Sequence, residues 1–276
     1  MAGVVIIFDF DKTIIDCDSD NWVIDDLGAT KTFDELLKTM PWNTAIDLMM
    51  KELHSQGKSI EDISNSLKSA PIYANNISTI KSAYALGCEL KILSDANLFF
   101  IETILKHHEL MGYFSKIITN PGFVDEEGKL RISPYHDFNI SSHGCNLCPP
   151  NMCKGIIMEK IRASYLSKGK KKFIYLGDGK GDYCPCLKLS EEDYVMPRKN
   201  FPLYDLICAD TKALRAEVHE WSNAEDQEKV LLKLIQKLRS IDHEEETNQV
   251  FSMDCKFHII PVSGHEILPQ ALPVPH

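Results

Sequence analysis

Val4-Val5-Ile6-Ile7-Phe8-Asp9-Phe10-Asp11-Lys12-Thr13-Ile14 begins as a buried β-strand and ends in two acids. The β-branched and aromatic run suits a strand covered on both faces. Along an extended chain, residues two apart share a side, so Asp9 and Asp11 are expected to leave the strand end together, with Thr13 just beyond. Two adjacent carboxylates repel each other unless a cation or a shared proton lies between them. Hard oxygen donors of this kind suit Mg²⁺. A purely structural strand has no use for such a pair.

Similar apolar runs recur at 89–93, 114–118 and 172–176, with a shorter one at 193–196. Helical spacing lies between them, at about 76–86, 98–110 and 153–167. This alternation predicts an α/β fold, a Rossmann-like parallel sheet with helices on both faces. Ligands of such sheets bind beyond the carboxyl ends of the strands. Three of the runs end in chemistry there: Phe8-Asp9, Leu93-Ser94-Asp95 and Leu176-Gly177-Asp178. The last opens Gly177-Asp178-Gly179-Lys180-Gly181-Asp182, whose glycines allow a tight turn and close backbone approach. Asp9, Asp11, Asp178 and Asp182 could thus converge on one metal. Taken singly, Ser94-Asp95 reads as a helix N-cap and Lys154 as a solvated lysine; order and strand context promote them.

Residues 17–75 carry helical patterns at Thr32–Lys38, Ala45–Leu53 and Ser59–Ser69, the last opening on the capping-box spacing Ser59-Ile-Glu-Asp62. They predict a small helical cap inserted after strand 1, closed near Pro71, over a core of 1–16 and 76–241. Ser222-Asn-Ala-Glu225 has the same spacing and leads into a final helix with Val230, Leu231, Leu234, Ile235 and Leu238 on one face. Residues 242–276, acidic and then proline-broken, are expected to be a mobile tail whose patch Phe257–Val262 could dock on the body. No internal repeat is evident.

The ordered motifs Asp9-Phe-Asp11-Lys-Thr13, Ser94, Lys154 and Gly177-Asp178-Gly-Lys-Gly-Asp182 resemble those of haloacid dehalogenase-like phosphatases. Asp16-Cys-Asp-Ser-Asp20, Ser133-Pro-Tyr-His136, Cys145-Asn-Leu-Cys148-Pro-Pro-Asn-Met-Cys153-Lys154 and Gly181-Asp-Tyr-Cys-Pro185 look like the phosphoethanolamine/phosphocholine phosphatase branch, whose plant members include enzymes described as inorganic pyrophosphatases. The resemblance implies roles for these residues. Asp9 attacks phosphorus to give an aspartyl-phosphate, and Asp11 protonates the leaving oxygen and then deprotonates water. Thr13 and Ser94 hydrogen-bond phosphoryl oxygens, and Lys154 offsets their charge. Asp9, the Asp11 backbone carbonyl and Asp178 hold Mg²⁺, and Asp182 supports the metal shell or Lys154. Asp20 and Asp95 face the substrate head group. An acid there favours a cationic amine such as ethanolamine or choline, with Trp22, Trp42 or Tyr73 available for cation–π contact. Bare pyrophosphate is disfavoured beside those acids unless a second Mg²⁺ accompanies it, yet family membership keeps it open. The remaining acids after strand 1, including Asp25 and Asp26, read as a solvated loop and helix start.

The substrate is thus expected to be a small phosphorylated metabolite or pyrophosphate. A net charge of −10 argues against nucleic acid and anionic membranes as partners. No apolar span is long enough to cross a bilayer. The N-terminal run reads as a strand and not a signal peptide, and nine cysteines without such a signal suggest reduced thiols and a cytoplasmic protein. His143, Cys145, Cys148 and Cys153 have metal-like spacing. The usual second ligand pair is absent, so reduced thiols shaping the loop are preferred to structural zinc. Cys184-Pro-Cys186 could make activity oxidation-sensitive. Two other classes remain in view: a phosphotransferase using a hydroxyl acceptor, and a silent regulatory protein on this fold.

Overall fold

The computed structural model describes residues 3–165 and 171–254. The predicted apolar patch Phe257–Val262 lies outside them. The elements run β1 (Val4–Phe8), α1 (Ser19–Asp26), α2 (Thr30–Leu37), α3 (Trp42–Ser55), α4 (Ile60–Lys68), α5 (Ala74–Ala85), β2 (Glu89–Asn97), α6 (Leu98–His107), β3 (Phe114–Asn120), β4 (Gly122–Val124), β5 (Leu130–Ile132), α7 (Lys154–Ala163), β6 (Lys172–Gly177), α8 (Tyr183–Cys186), β7 (Tyr194–Pro197), α9 (Pro202–Ala209), β8 (Glu217–Val218) and α10 (Ala224–Asp254).

Six strands form one parallel sheet in the order β3-β2-β1-β6-β7-β8, and β4 pairs antiparallel with β5. Pleat alternation divides each strand between two cores. Val4, Ile6 and Phe8 join Leu90, Ile92, Ile174, Leu176 and Met196 on the face covered by α5, α6 and α10. Val5 and Ile7 join Leu93, Phe173, Tyr175 and Val195 on the face covered by α7 and α9. Both faces are therefore apolar, as a parallel sheet between helix layers requires.

The chain winds outward in opposite directions from β1, first to β2 and β3, then back past β1 to β6, β7 and β8. A crevice opens where the order reverses. Phe8 pairs with Leu176 there, and the Asp9 amide donates to the Leu176 carbonyl at 2.9 Å. Asp9 and Asp178 thus leave neighbouring strand ends.

Helices α1–α4 intervene between β1 and α5. Their entry and exit are tied where the Asp16 amide donates to the Pro71 carbonyl at 2.8 Å. The Ser59 capping box forms, with the Asp62 amide donating to Ser59 Oγ at 3.1 Å and the Ser59 amide to Asp62 Oδ2 at 2.7 Å. Asp47 of α3 clasps the β4–β5 hairpin, accepting from Arg131 Nε at 3.0 Å and from the Ile132 amide at 2.9 Å. Asp47→Ala is expected to cost about 2–3 kcal/mol, since hydrogen bonds to a charged group are lost while a backbone donor is left unpaired. Urea unfolding of the two proteins measures this.

Three local readings change. Helix α10 is capped by Asn223 rather than Ser222, for the Asp226 amide donates to Asn223 Oδ1 at 3.0 Å. It also continues past Ile241 to Asp254, a stretch free of Gly and Pro, while the rest of the expected tail lies outside the described residues. Ser94-Asp95 is not a helix cap, because β2 runs on to Asn97, whose side chain caps α6 by accepting from the Phe100 amide at 3.0 Å.

Candidate active site

β1 ends at Phe8, so a turn and not the pleat positions the two opening acids. Phe10 between them is buried in the core. Lys12 takes a left-handed backbone conformation (φ 54°), uncommon without glycine. Arg198 holds that turn, donating to the Lys12 carbonyl and to Asp16 Oδ1, each at 2.7 Å.

Asp9 Oδ1 accepts from the Phe10 amide at 2.7 Å and lies 3.0 Å from Lys154 Nζ. Lys154, at the start of α7, is only 2 % exposed. Its ammonium also meets Asp182 Oδ1 at 2.8 Å and Asp95 Oδ1 at 3.6 Å. Desolvation alone would lower the Lys154 pKa, but Asp182 and Asp9 outweigh it and hold the group protonated.

Asp182 is fully buried, and its oxygens are saturated. Oδ1 accepts from Lys154 and from Tyr175 Oη at 2.7 Å, and Oδ2 from the amides of Asp178 (3.1 Å) and Gly179 (2.9 Å). Gly177 makes this possible, because a Cβ there would lie 2.6 Å from the Asp182 carboxyl carbon. Asp182 therefore positions Lys154 and the Asp178 turn.

Asp9, Asp178 and Asp182 bring carboxylate oxygens within 4.8 Å of one another. Burial, then Asp182, raises the pKa of Asp9 well above the usual range and that of Asp178 to about 7. One lysine does not offset three such acids. With Asp182 saturated, Asp9 and Asp178 are the oxygen donors left for a hard cation, and among the described residues no hydrogen bond ends on the Asp11 carbonyl. The donor set fits Mg²⁺.

The Asp11 carboxylate lies outside this group, a correction to the expected convergence of four acids. It accepts instead from the Ser19 amide (3.1 Å) and hydroxyl (3.2 Å). Burial, then Asp18 and Asp20, raises its pKa well above the usual range. Ser94 is buried within β2, its Oγ accepting from the Ala96 amide at 3.3 Å. Thr13 lines a separate recess with Asp16, Tyr73 and Arg198, and its buried hydroxyl has no partner among the described residues.

Asp20 lines a narrow cleft, without room for a water in this conformation, with Trp42, Asn43, Ile46, Asp95, Asn97 and Ile132. Trp42 Nε1 donates to Asp20 Oδ2 at 2.7 Å, and the Asn97 side chain is a second hydrogen-bonding neighbour of the carboxyl. Burial, then Asp18, pushes the Asp20 pKa up to about 8. Trp22 and Tyr73 are not part of this cleft, being bonded to the Ser66 carbonyl and to Asp16.

Residues 4–235 match the protein family described as "Putative Phosphatase". The chain belongs to this phosphatase family. It is 55% identical to inorganic pyrophosphatase 2 of Arabidopsis thaliana, with 93% of each chain covered. It is 54% identical to the thiamine phosphate phosphatase-like protein of the same plant, over 85% of this chain and 96% of that one. The fold is that of a haloacid dehalogenase-family hydrolase from Salmonella enterica serovar Typhi (TM-score 0.55, 13% identity, 81% and 69% coverage). This family member is a phosphate-releasing hydrolase. No described helix is long and apolar enough to cross a membrane.

Sequence reasoning missed several residues that shape this phosphatase site. Tyr175 occupies an ordinary alternating position in β6, and only its hydroxyl, in need of a buried partner, could have marked it. Ser19 lies inside the Asp16–Asp20 motif but carried no role of its own there, and Arg198 lies in no motif. Cys184 was grouped with Cys186, although Cys186 packs into the core and Cys184 faces Cys145 and Cys153.

Proposed function

We propose that this protein is a Mg²⁺-dependent phosphohydrolase that cleaves a small phosphorylated metabolite through an aspartyl-phosphate on Asp9. Both contacts to Asp9 among the described residues fall on Oδ1, which leaves Oδ2 to attack phosphorus. Lys154 stabilises the charge developing on phosphoryl oxygens, and Ser94 donates to one of them. Asp11, aligned by Ser19, delivers a proton to the leaving oxygen and later takes one from water. Asp9, the Asp11 carbonyl and Asp178 would hold Mg²⁺, which supplies charge neutralisation between the carboxylates and the phosphate. Orthophosphate release that stops with EDTA and returns with Mg²⁺ tests this. Release unaffected by chelation would overturn the metal requirement.

The leaving group is best matched by a small cationic alcohol such as ethanolamine or choline. The observation that carries this is the buried Asp20 carboxyl beside Asp95 in a narrow cleft walled by Trp42, Ile46 and Ile132, where no lysine or arginine pairs with Asp20 among the described residues. A buried acid gains from a cationic head group, which in ethanolamine can also donate N–H hydrogen bonds and in choline meets it by charge alone. A second reading, hydrolysis of inorganic pyrophosphate, is favoured by the name of the 55%-identical Arabidopsis relative. A protonated Asp20 would not repel that anion.

The two readings part with pH. Asp20 is neutral below about 8 and charged above it. For a cationic ester, kcat/KM is expected to rise with pH up to about 8, by up to tenfold per unit, while pyrophosphate gains nothing from the same ionisation. Asp20→Asn is expected to lower kcat/KM for phosphoethanolamine and phosphocholine about 10–100-fold and to flatten that rise. The measurement is kcat/KM for phosphocholine, phosphoethanolamine and Mg-pyrophosphate in both proteins. Preference for pyrophosphate at every pH, unchanged in the variant, would select the second reading.

A further inference from the structure

We infer that Cys145, Cys148, Cys153 and Cys184 form a structural zinc site with four thiolate ligands. The sequence suggested His143 as the fourth member beside three cysteines, but the fold replaces it. His143 Nε2 lies 2.9 Å from the Pro149 carbonyl and Nδ1 accepts from the Cys145 amide at 3.1 Å, so both ring nitrogens are engaged. Cys184, 31 residues beyond Cys153, takes the vacated place.

The sulfur spacing is specific. All four Sγ atoms lie within 4.8 Å of one another. Cys145 to Cys184 is 3.7 Å and Cys153 to Cys184 is 4.0 Å. A disulfide requires about 2.05 Å. Four sulfurs at tetrahedral positions about 2.3 Å from Zn²⁺ stand roughly 3.8 Å apart. Unlinked thiols have no reason to converge four at a time at that separation.

The surroundings suit a metal thiolate. The Ile156 amide donates to Cys153 Sγ at 3.5 Å, at the N-terminus of α7, where the helix dipole favours negative charge. Gly155 admits the cluster, since a Cβ there would sit 2.3 Å from Cys184 Sγ. Binding displaces the thiol protons to solvent without any change of oxidation state.

The chain between β5 and α7 supplies an independent argument. Residues 133–153 contain no helix or strand and leave Tyr135, Ile140 and Leu147 exposed. An irregular segment of that length with so little buried apolar surface needs another anchor. Three of the four cysteines lie in it, and the fourth begins the α8 region. Cys153 precedes Lys154, and Cys184 follows Asp182 by two residues, so the metal would fix both backbones that carry the Lys154–Asp182 pair.

The test is elemental analysis of the full chain purified without chelators, with Co²⁺ substitution as a second readout. One zinc per chain is expected, together with the sulfur-to-metal charge-transfer and tetrahedral d–d bands of a Co²⁺ tetrathiolate. Cys145→Ser and Cys148→Ser should each lose most of the zinc, whereas Cys208→Ser, at an exposed position apart from the cluster, keeps it. Zinc-free protein that folds and melts as a single species, iron in place of zinc, or undiminished zinc in Cys145→Ser would each overturn the inference. If the serine variants do not fold, the wild-type zinc content and Co²⁺ spectrum still decide. Zinc content is read without any assay of turnover, so failure of the phosphatase proposal would leave this result standing, and the reverse.

Discussion

Asp9→Asn is expected to abolish turnover, lowering kcat by roughly 10⁴–10⁶-fold, the range seen when a nucleophile is removed from a site that otherwise stays intact. The amide keeps the shape of the carboxylate and can still accept from the Phe10 amide through its oxygen. It cannot form the phosphoenzyme. The fold should survive the change. Asp9 is buried and crowded by Asp182 and Asp178, so its ionised form opposes folding in metal-free protein. A carboxylate whose pKa is raised on folding costs stability as pH rises toward and through that value, and a neutral amide removes the cost. In EDTA at neutral pH the variant should melt at or above the wild-type temperature. Orthophosphate release and a thermal melt on one preparation check both statements. Retained phosphatase activity would remove Asp9 from the mechanism.

Lys154→Met should have the opposite effect on stability. The side chain is similar in length and equally able to pack, but the only ammonium in contact with Asp9 and Asp182 among the described residues is gone. Removing one partner from a buried charged pair costs about 3–5 kcal/mol, because the remaining charge has neither water nor partner. For a chain of this size that lowers Tm by on the order of 10 °C. On the proposed mechanism, in which Lys154 faces the phosphoryl oxygens, turnover should fall by on the order of 10³-fold. Adding Asp182→Asn to Lys154→Met should return part of the stability and none of the activity. This non-additivity separates charge balance from catalysis. Equal melting of Lys154→Met and wild type would show that the lysine is not the counter-ion its contacts indicate.

The strands that carry the site were legible because each is a short apolar run ending abruptly in acids or glycine. β1, β2, β3 and β6 lie where those runs predict, and the parallel order follows from their alternation with helices. The hairpin β4–β5 escaped, since three-residue strands such as Gly122–Val124 have no period to read. α1 escaped too, for Ser19–Asp26 is mostly polar and only Val23 and Ile24 among its apolar residues are buried. Partners distant in sequence were the least visible. The motif Asp16–Asp20 contains Ser19 without marking it as the partner of Asp11, and nothing near Cys153 announces Cys184. Only folding brings Trp42 to Asp20, across 22 residues. Saturation of Asp182 by four donors, which separates a positioning acid from a metal-binding one, is a property of geometry with no counterpart in spacing.

The reversal of strand order beside β1 also bears on how the chain comes to be folded. β1 is made long before its neighbour β6, which pairs Val4 with Lys172, so one edge of β1 stays open until β6 has been made. Contacts so distant in sequence are slow to close and leave apolar strand edges exposed meanwhile. A fragment ending before Lys172 would carry Asp9 on an unpaired edge, beside neither Asp178 nor Asp182. Such a fragment should aggregate and bind no metal at that position, which makes β6 the step at which a growing chain acquires both its centre and its proposed active site.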